Sequence, residues 1–339
     1  MQDAPANFTT LMVATCNVLN LANPGRTFYA NQAAYTQTEF ERKIDWLGGR
    51  FKALNADVLA VQEVWDEAAL KAAISRSGLH YDLVAVPGTE NTASSHGAQG
   101  TPRVGLATRL AVDQLQSFSD FPADIGVEVP DIGRHARFER PALLASLRMK
   151  HGQSVHVLTA HLKSKRPKFL QDSQGNPLED RDDPKIAARA GLRSLIMRGV
   201  EATALRCIVI DLLRHTKVPL VVMGDFNDSP HSVTTQLIAA TSEIAYDKAA
   251  RDIARFNAYE MQGEWALKKD VAYSHIHQGY PEVLDQILVS EEFVPGSRFS
   301  LGDVRRVDYF NDHLQEGHDR IRSDHGLVRA LLRLRLPQD

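Results

Sequence analysis

Residues 221–230, VVMGDFNDSP, form an apolar run that stops at Gly224, Asp225, Asn227 and Asp228 and then meets a proline. Two readings are physically sound. A buried strand needs a turn, and Asp, Asn, Gly and Pro supply one. Alternatively, the strand holds polar side chains at the rim of a sheet, where α/β proteins place their ligands. The endings of the other strands decide between them.

Strand-like runs recur along the chain: LMVATCN at 11–17, VLAVQEV at 58–64, VGLATR at 104–109, VHVLTAHL at 155–162, PLVVMGDFN at 219–227 and VLDQILVS at 283–290. The last, GLVRALLRLRL at 326–336, alternates, with Val328, Ala330, Leu332, Leu334 and Leu336 on one side and arginines mostly on the other. Helix-period segments lie between them. TEFERKIDWLGGRFKAL spaces Phe40, Ile44, Leu47 and Phe51 three or four residues apart. KIAARAGLRSLIMRGVEATALRCIVIDLLRHT reads as a long helix with a break near Gly199. The polar stretch 163–185 is a loop, basic first and acidic later. Interleaved strands and helices imply an α/β fold, yet the final strand alternates as a half-exposed antiparallel strand does. A mixed sheet, or two stacked sheets, satisfies both. No composition break, repeat or low-complexity tract divides residues 1–339, which are read as one domain.

Apolar content of 43% and a net charge of -3 describe a globular protein with mixed surface charge. A globally basic nucleic-acid binder is excluded, so any polyanion site is a local patch. Cys16 and Cys207 lie in apolar segments and read as buried thiols, which favours a reducing compartment. The opening MQDAPANFTT lacks a basic and apolar leader pattern, and no run of about 18 apolar residues occurs. A cytoplasmic monomer without a transmembrane segment is expected, secreted only if a leader was removed.

The strand endings then fall into a pattern. LMVATCN ends in Asn17, VLAVQE in Glu63, VHVLTAH in His161, and LVVMGDFN in Asp225 and Asn227. Asp285 and the pair Asp324 and His325 instead stand at the starts of their strands. If those strands run antiparallel to the others, every group arrives at one edge. Carboxylates with a carboxamide make the hard oxygen site that Mg²⁺ prefers. Such an ion neutralises phosphoryl charge, an aspartate can take a proton from water, and a histidine held by a carboxylate can donate to a phosphoryl oxygen. Asp285 is the natural holder of His325. Zinc fits less well, because no thiolate pair and no His-x-x-x-His helix is present.

In order, TCNVLNL, LAVQEV, GLATR, LTAHLKS, GDFNDSP, LDQILVS and SDHGLV span residues 15–328, and this set resembles the endonuclease/exonuclease/phosphatase superfamily. The resemblance implies a four-layered α/β sandwich, two mixed β-sheets packed face to face and flanked by helices. It implies Glu63 as principal Mg²⁺ ligand, with Asn17 and Asp324 close to the ion and Mn²⁺ able to substitute. It implies Asp225 as general base, Asn227 as a ligand of the scissile phosphate, and His325, oriented by Asp285, as a donor to a phosphoryl oxygen. His161 matches members that use histidine to stabilise the transition state; apurinic endonucleases carry tyrosine there. The inositol polyphosphate 5-phosphatase signatures are absent, and Gln286 follows Asp285 where many members have Tyr or His. The chain is most similar to bacterial members of unassigned specificity.

Other features have plainer readings. Asp228 in NDSP is a turn or cap residue. DVAYSHIHQGYPE at 270–282 puts Tyr273, His275 and His277 on one face, either a hydrated sheet face or a substrate-binding wall. KSKRPK after His161 offers Lys163 and Lys165 as phosphate-steering cations. Arg103 and FNDHL at 310–314 are candidate rim contacts. The expected activity is a Mg²⁺-dependent phosphodiesterase acting on nucleic acid. The alternative is a phosphatase or phospholipase-like enzyme acting on a small-molecule or lipid phosphate. A non-catalytic binding module would have lost a catalytic residue, and none is missing.

Overall fold

The structure, a computed structural model, describes residues 8–29, 32–88, 100–214, 216–241, 248–262, 271–317 and 319–336. The opening stretch on which the leader reading rests lies mostly outside them. The amino-terminal part runs β1 (Phe8–Leu21), α1 (Gln37–Leu54), β2 (Val58–Val64), α2 (Glu67–Ser77), β3 (Leu83–Ala85) and β4 (Arg103–Thr108). There follow β5 (Ala111–Asp120), β6 (Val127–Val129), β7 (Gly133–His135), β8 (Arg137–Arg148), β9 (Ser154–His161), α3 (Pro184–Leu213), β10 (Leu220–Asp225) and α4 (Val233–Ala239). The chain ends with β11 (Phe256–Asn257), α5 (Ala258–Met261), β12 (His275–His277), β13 (Tyr280–Glu282), β14 (Asp285–Val289), β15 (Gly302–Phe310) and β16 (Leu327–Arg335).

Two six-stranded mixed sheets form, in the orders β15-β16-β1-β2-β4-β3 and β11-β14-β10-β9-β8-β5. Period-two alternation builds the layers. Leu11 and Val13 of β1 meet Val157 of β9 and Val221 and Met223 of β10 in a core between the sheets. Ala14 and Cys16, on the other face of β1, join Leu47 and Phe51 of α1 and Leu70 of α2. Leu158 and Val222 on the far side of the second sheet pack under Leu205 and Val209 of α3. Helix, sheet, sheet and helix therefore make the four layers expected.

The expected strand directions hold. β14 runs antiparallel to β10 and β16 antiparallel to β1, whereas β1 with β2 and β9 with β10 are parallel. α1 starts at a capping box of Thr36 and Glu39 and buries Phe40, Ile44, Leu47 and Phe51 as their spacing required. α3 does not break at Gly199. Its 30 residues run on because Met197, Val200 and Glu201 around the glycine are buried, and this packing offsets the glycine's cost of about 1 kcal/mol. β1 likewise continues past Asn17, through a register irregularity, to Leu21. Among the described residues, no helix is long and apolar enough to cross a membrane.

Candidate active site

The carboxyl ends of β1, β2, β9 and β10 lie together with the start of β14 and the turn before β16. In register, Asp225 stands beside His161 on one side and Asp285 on the other. β10 comes this close to β9 because position 224 is glycine, with φ +146°; a Cβ there would lie 1.9 Å from the Ala160 carbonyl oxygen. Beyond it the backbone is bent at functional positions. Glu63 and Asn227 have φ of 64° and 53°, the left-handed region that non-glycine residues seldom occupy. In Glu63 this turn swings the carboxylate away from the ladder, where Oε2 accepts a hydrogen bond from the Asn20 amide at 3.1 Å.

Asn17 joins the sheets. Its Nδ2 donates to Asp225 Oδ2 at 3.1 Å and to Glu63 Oε1 at 3.3 Å, while its Oδ1 accepts from the Leu19 amide at 3.1 Å. Asn17 thus turns its nitrogen, not its oxygen, toward the carboxylates. Below it a second polar bridge crosses the core, from Thr15 to Gln62 at 3.2 Å and from Gln62 to Thr159 at 3.3 Å. The Ser323 hydroxyl donates to the Asn17 carbonyl at 2.6 Å and accepts from the His325 amide at 3.0 Å. Behind this loop the fully buried Lys43 of α1 donates to the carbonyls of Arg320 and Ile321, at 3.1 and 3.4 Å.

Asp225 is the hub. His161 Nε2 lies 3.4 Å and His325 Nε2 3.9 Å from its Oδ2, and His325 Nδ1 lies 2.7 Å from Asp285 Oδ2. Burial alone would discharge His325, but Asp285, Asp225 and the hydrogen bond to Asp285 raise its pKa well above that of free histidine. His161 goes the other way. Burial, then the charges of Arg140, His325 and Lys163, hold it neutral. Burial also raises Asp225, against the pull of His325. Glu63 is raised by burial and then by the negative charge of Asp324.

A divalent cation suits that last pair. The charge of Asp324 raises Glu63, and the two offer oxygen donors with no thiolate, the hard donor set that a divalent cation takes. Two groups of potential ligand atoms come within 4.8 Å of one another, His275 with Asp324 and His325, and Asp225 with Asp285 and His325; Glu63 belongs to neither. A hollow of about 310 Å³ is lined by Asn20, whose amide bonds Glu63, and by Tyr35 and Arg320.

The candidate substrate contacts fare differently. Lys163 turns inward, bonded to Ser164 and the Arg166 carbonyl, and Lys165 pairs with Glu282 of β13 at 2.9 Å. His275 lies against His325, ring centroids 5.0 Å apart, and His277 stands exposed next to it. Tyr273 precedes β12, its hydroxyl accepting from Gln315 at 3.3 Å. Arg103 pairs in register with Val64, next to Glu63. In FNDHL, Asn311 and the buried His313 brace the backbone at Tyr273 and His325. Asp228 holds Arg198 and Thr234 at 3.3 and 2.6 Å, tying α4 to α3. Gln286 faces away from the cleft and donates to the Asp228 carbonyl at 2.7 Å.

Sequence reading missed Arg140. This half-buried residue donates to the Leu162 carbonyl at 3.3 Å, leaves Nε without a partner, and acts electrostatically on both Glu63 and His161. Its place in an arginine-proline pair, ahead of the apolar ALLASL, was the only signal.

The sequence profile of the Endonuclease/Exonuclease/phosphatase family matches residues 14–325. A comparison with curated proteins finds no match. Among solved structures, the human Nocturnin catalytic domain with bound sulfate anion is similar over 96% of this chain and 97% of its own, at 16% identity and a TM-score of 0.55. TDP2 of D. rerio, complexed with a single-strand DNA product, is similar over 96% and 99%, at 13% identity and a TM-score of 0.52. A mannosyl-6-phosphatase of Bacteroides thetaiotaomicron VPI-5482 is similar over 95% and 99%, at 14% identity and a TM-score of 0.53. At these identities the likeness is one of fold.

Proposed function

The chain belongs to the endonuclease/exonuclease/phosphatase family, whose members are hydrolases of phosphate esters, and on that premise we propose that it is a metal-dependent phosphodiesterase acting on nucleic acid. The reading is carried by the convergence on Asp225 of Asn17, His161 and His325, at 3.1, 3.4 and 3.9 Å. Glu63 and Asp324 would hold the cation, Mg²⁺ or Mn²⁺, and Asn17 bridges Glu63 to Asp225. When bound, the ion neutralises phosphoryl charge and favours departure of the leaving oxygen.

The side chains divide the remaining work. Asp225, its pKa raised by burial, takes the proton of the attacking water. Asn227 spends one amide hydrogen on the Leu162 carbonyl and keeps the other for the scissile phosphate. His325, held charged by Asp285, donates to an equatorial oxygen, and neutral His161 donates a ring N–H as charge builds. Arg140 adds a fixed positive charge.

A second reading has its own observation. With Lys163 turned inward and Lys165 paired, neither is a free ammonium for a polyanion, which favours a small-molecule or lipid phosphate. The solved mannosyl-6-phosphatase of the same fold points that way too. A panel of bis(p-nitrophenyl) phosphate, single-stranded DNA, RNA, a phosphorylated sugar and sphingomyelin, each with Mg²⁺ or Mn²⁺, separates the two. The diester and nucleic acid are cleaved, EDTA stops the reaction, and Glu63→Gln and His161→Ala each lose about 10²–10³-fold in kcat with unchanged circular dichroism. Turnover of the sugar phosphate or lipid alone overturns the nucleic-acid reading. Wild-type turnover in either variant overturns the site.

A further inference from the structure

β12 and β13 form a separate two-stranded hairpin that starts at the site and leaves it. The register pairs His275 with Glu282 and His277 with Tyr280 across a two-residue turn. That turn, Gln278 and Gly279, has φ of 49° and 85°, the type that lets a short hairpin keep the twist of its strands. Paired residues in an antiparallel ribbon share a face, as do residues two apart. One face of the hairpin therefore carries His275, His277, Tyr280 and Glu282.

On that face the rings form a ladder. His275 lies 5.0 Å from His325, His277 stacks on His275 at 6.4 Å with planes 22° apart, and Tyr280, 75% exposed, closes the row at the tip. Lys165, from the loop following His161, grips Glu282 at 2.9 Å and fixes the hairpin to the second sheet's rim. Planar rings that begin against a phosphate-facing histidine and step outward provide surface for other planar rings. Backbone recognition needs free cations, and the Lys165 ammonium that meets this face is held by Glu282.

We propose that this hairpin is a stacking platform for unpaired bases beside the scissile phosphate, which makes the substrate a single-stranded nucleic acid; the proposal rests on the phosphodiesterase reading. Bases in a duplex are already stacked and cannot lie on the ladder. A strand threading the cleft places its phosphate at Asn227 and His325 and the neighbouring base on His277 and Tyr280.

The test compares a short oligothymidylate with the same sugar-phosphate strand built from abasic tetrahydrofuran units, alongside bis(p-nitrophenyl) phosphate. The wild-type protein favours the base-bearing strand by about five- to a hundredfold in kcat/KM. In Tyr280→Ala the ratio between the two strands collapses toward one, mainly through KM, and Tyr280→Phe retains it. Equal cleavage of both strands by the wild-type protein overturns the platform and leaves the phosphodiesterase standing. An unchanged ratio in Tyr280→Ala also overturns it. A wild-type protein that hydrolyses none of these substrates, bis(p-nitrophenyl) phosphate included, overturns the platform and the phosphodiesterase reading together.

Discussion

Asp285 touches no substrate in the scheme above, yet it governs two titrations. It accepts from His325 Nδ1 at 2.7 Å, and its charge helps to keep that ring protonated. His325 in turn lowers Asp225, which burial raises. The proposed scheme needs Asp225 ionised and His325 charged, so kcat/KM is expected to rise through an acid limb above the ordinary carboxylate range and to fall through a basic limb above that of free histidine. These limbs belong to the coupled group, not to either residue alone. Asp285→Asn removes the charge that supports His325 and moves the basic limb to lower pH, which a pH series of kcat/KM reads directly. A basic limb that stays put means that something other than His325 sets it. Most of the positions concerned were legible in sequence, because each closes or opens an apolar run. Their backbone was not: nothing in QEV or DFND announces that Glu63 and Asn227 adopt positive φ.

At the scale of elements, Arg193 organises the loop between β9 and α3. It is fully buried, and its guanidinium donates to Glu179 at 2.9 Å, to Asp131 at 2.5 Å and to the Pro130 and Lys168 carbonyls. One side chain of α3 thereby pins both the β6–β7 hairpin and the loop that follows His161. Arg193→Ala removes these tethers and leaves the Glu179 carboxylate beside an apolar stub. Hydrogen exchange at residues 166–183 speeds up in this variant, with less change in β9 and β10. Uniform protection across the loop would show that its backbone bonds suffice. The loop itself was legible from its Pro and Gly content; its anchor was not, since an arginine in a helix sequence reads as a surface residue. β8 escaped notice for a related reason. Pro141 lies inside it, where a strand interior normally excludes proline, but its ladder with β9 begins only at Leu143 and the pairing with β5 is irregular there.

Across the whole molecule, stability is linked to pH through Lys43. Burial depresses its pKa to about 7, against the opposing charges of Asp324 and Glu63. The unfolded chain binds this proton up to the ordinary lysine value of 10.5, so between those limits the unfolded state carries more protons than the folded one. Metal-free protein therefore gains stability as pH rises from about 7 toward 10.5, at up to about 1.4 kcal/mol per unit from this group, and loses that gain on acidification. Lys43→Met flattens the slope in urea titrations with EDTA present. An identical slope in the variant assigns the effect elsewhere. The layered architecture, by contrast, was readable from strand endings and the alternation in β16. The polar bridges through the core, Gln62 to Thr159 and Asn17 to Asp225, were not, because they join residues far apart in sequence that only the stacking of the sheets brings together.

β1 is flanked by β2 and by β16, with Phe8 opposite Arg335. On the ribosome this means that β1 waits, with one edge open, until β16 has been made. Asp324 and His325 arrive with that closing strand. A growing chain that already carries Glu63, His161 and Asp225 lacks the other half of the proposed site, and until β16 pairs it presents an open edge of β1 to chaperones and to neighbouring chains.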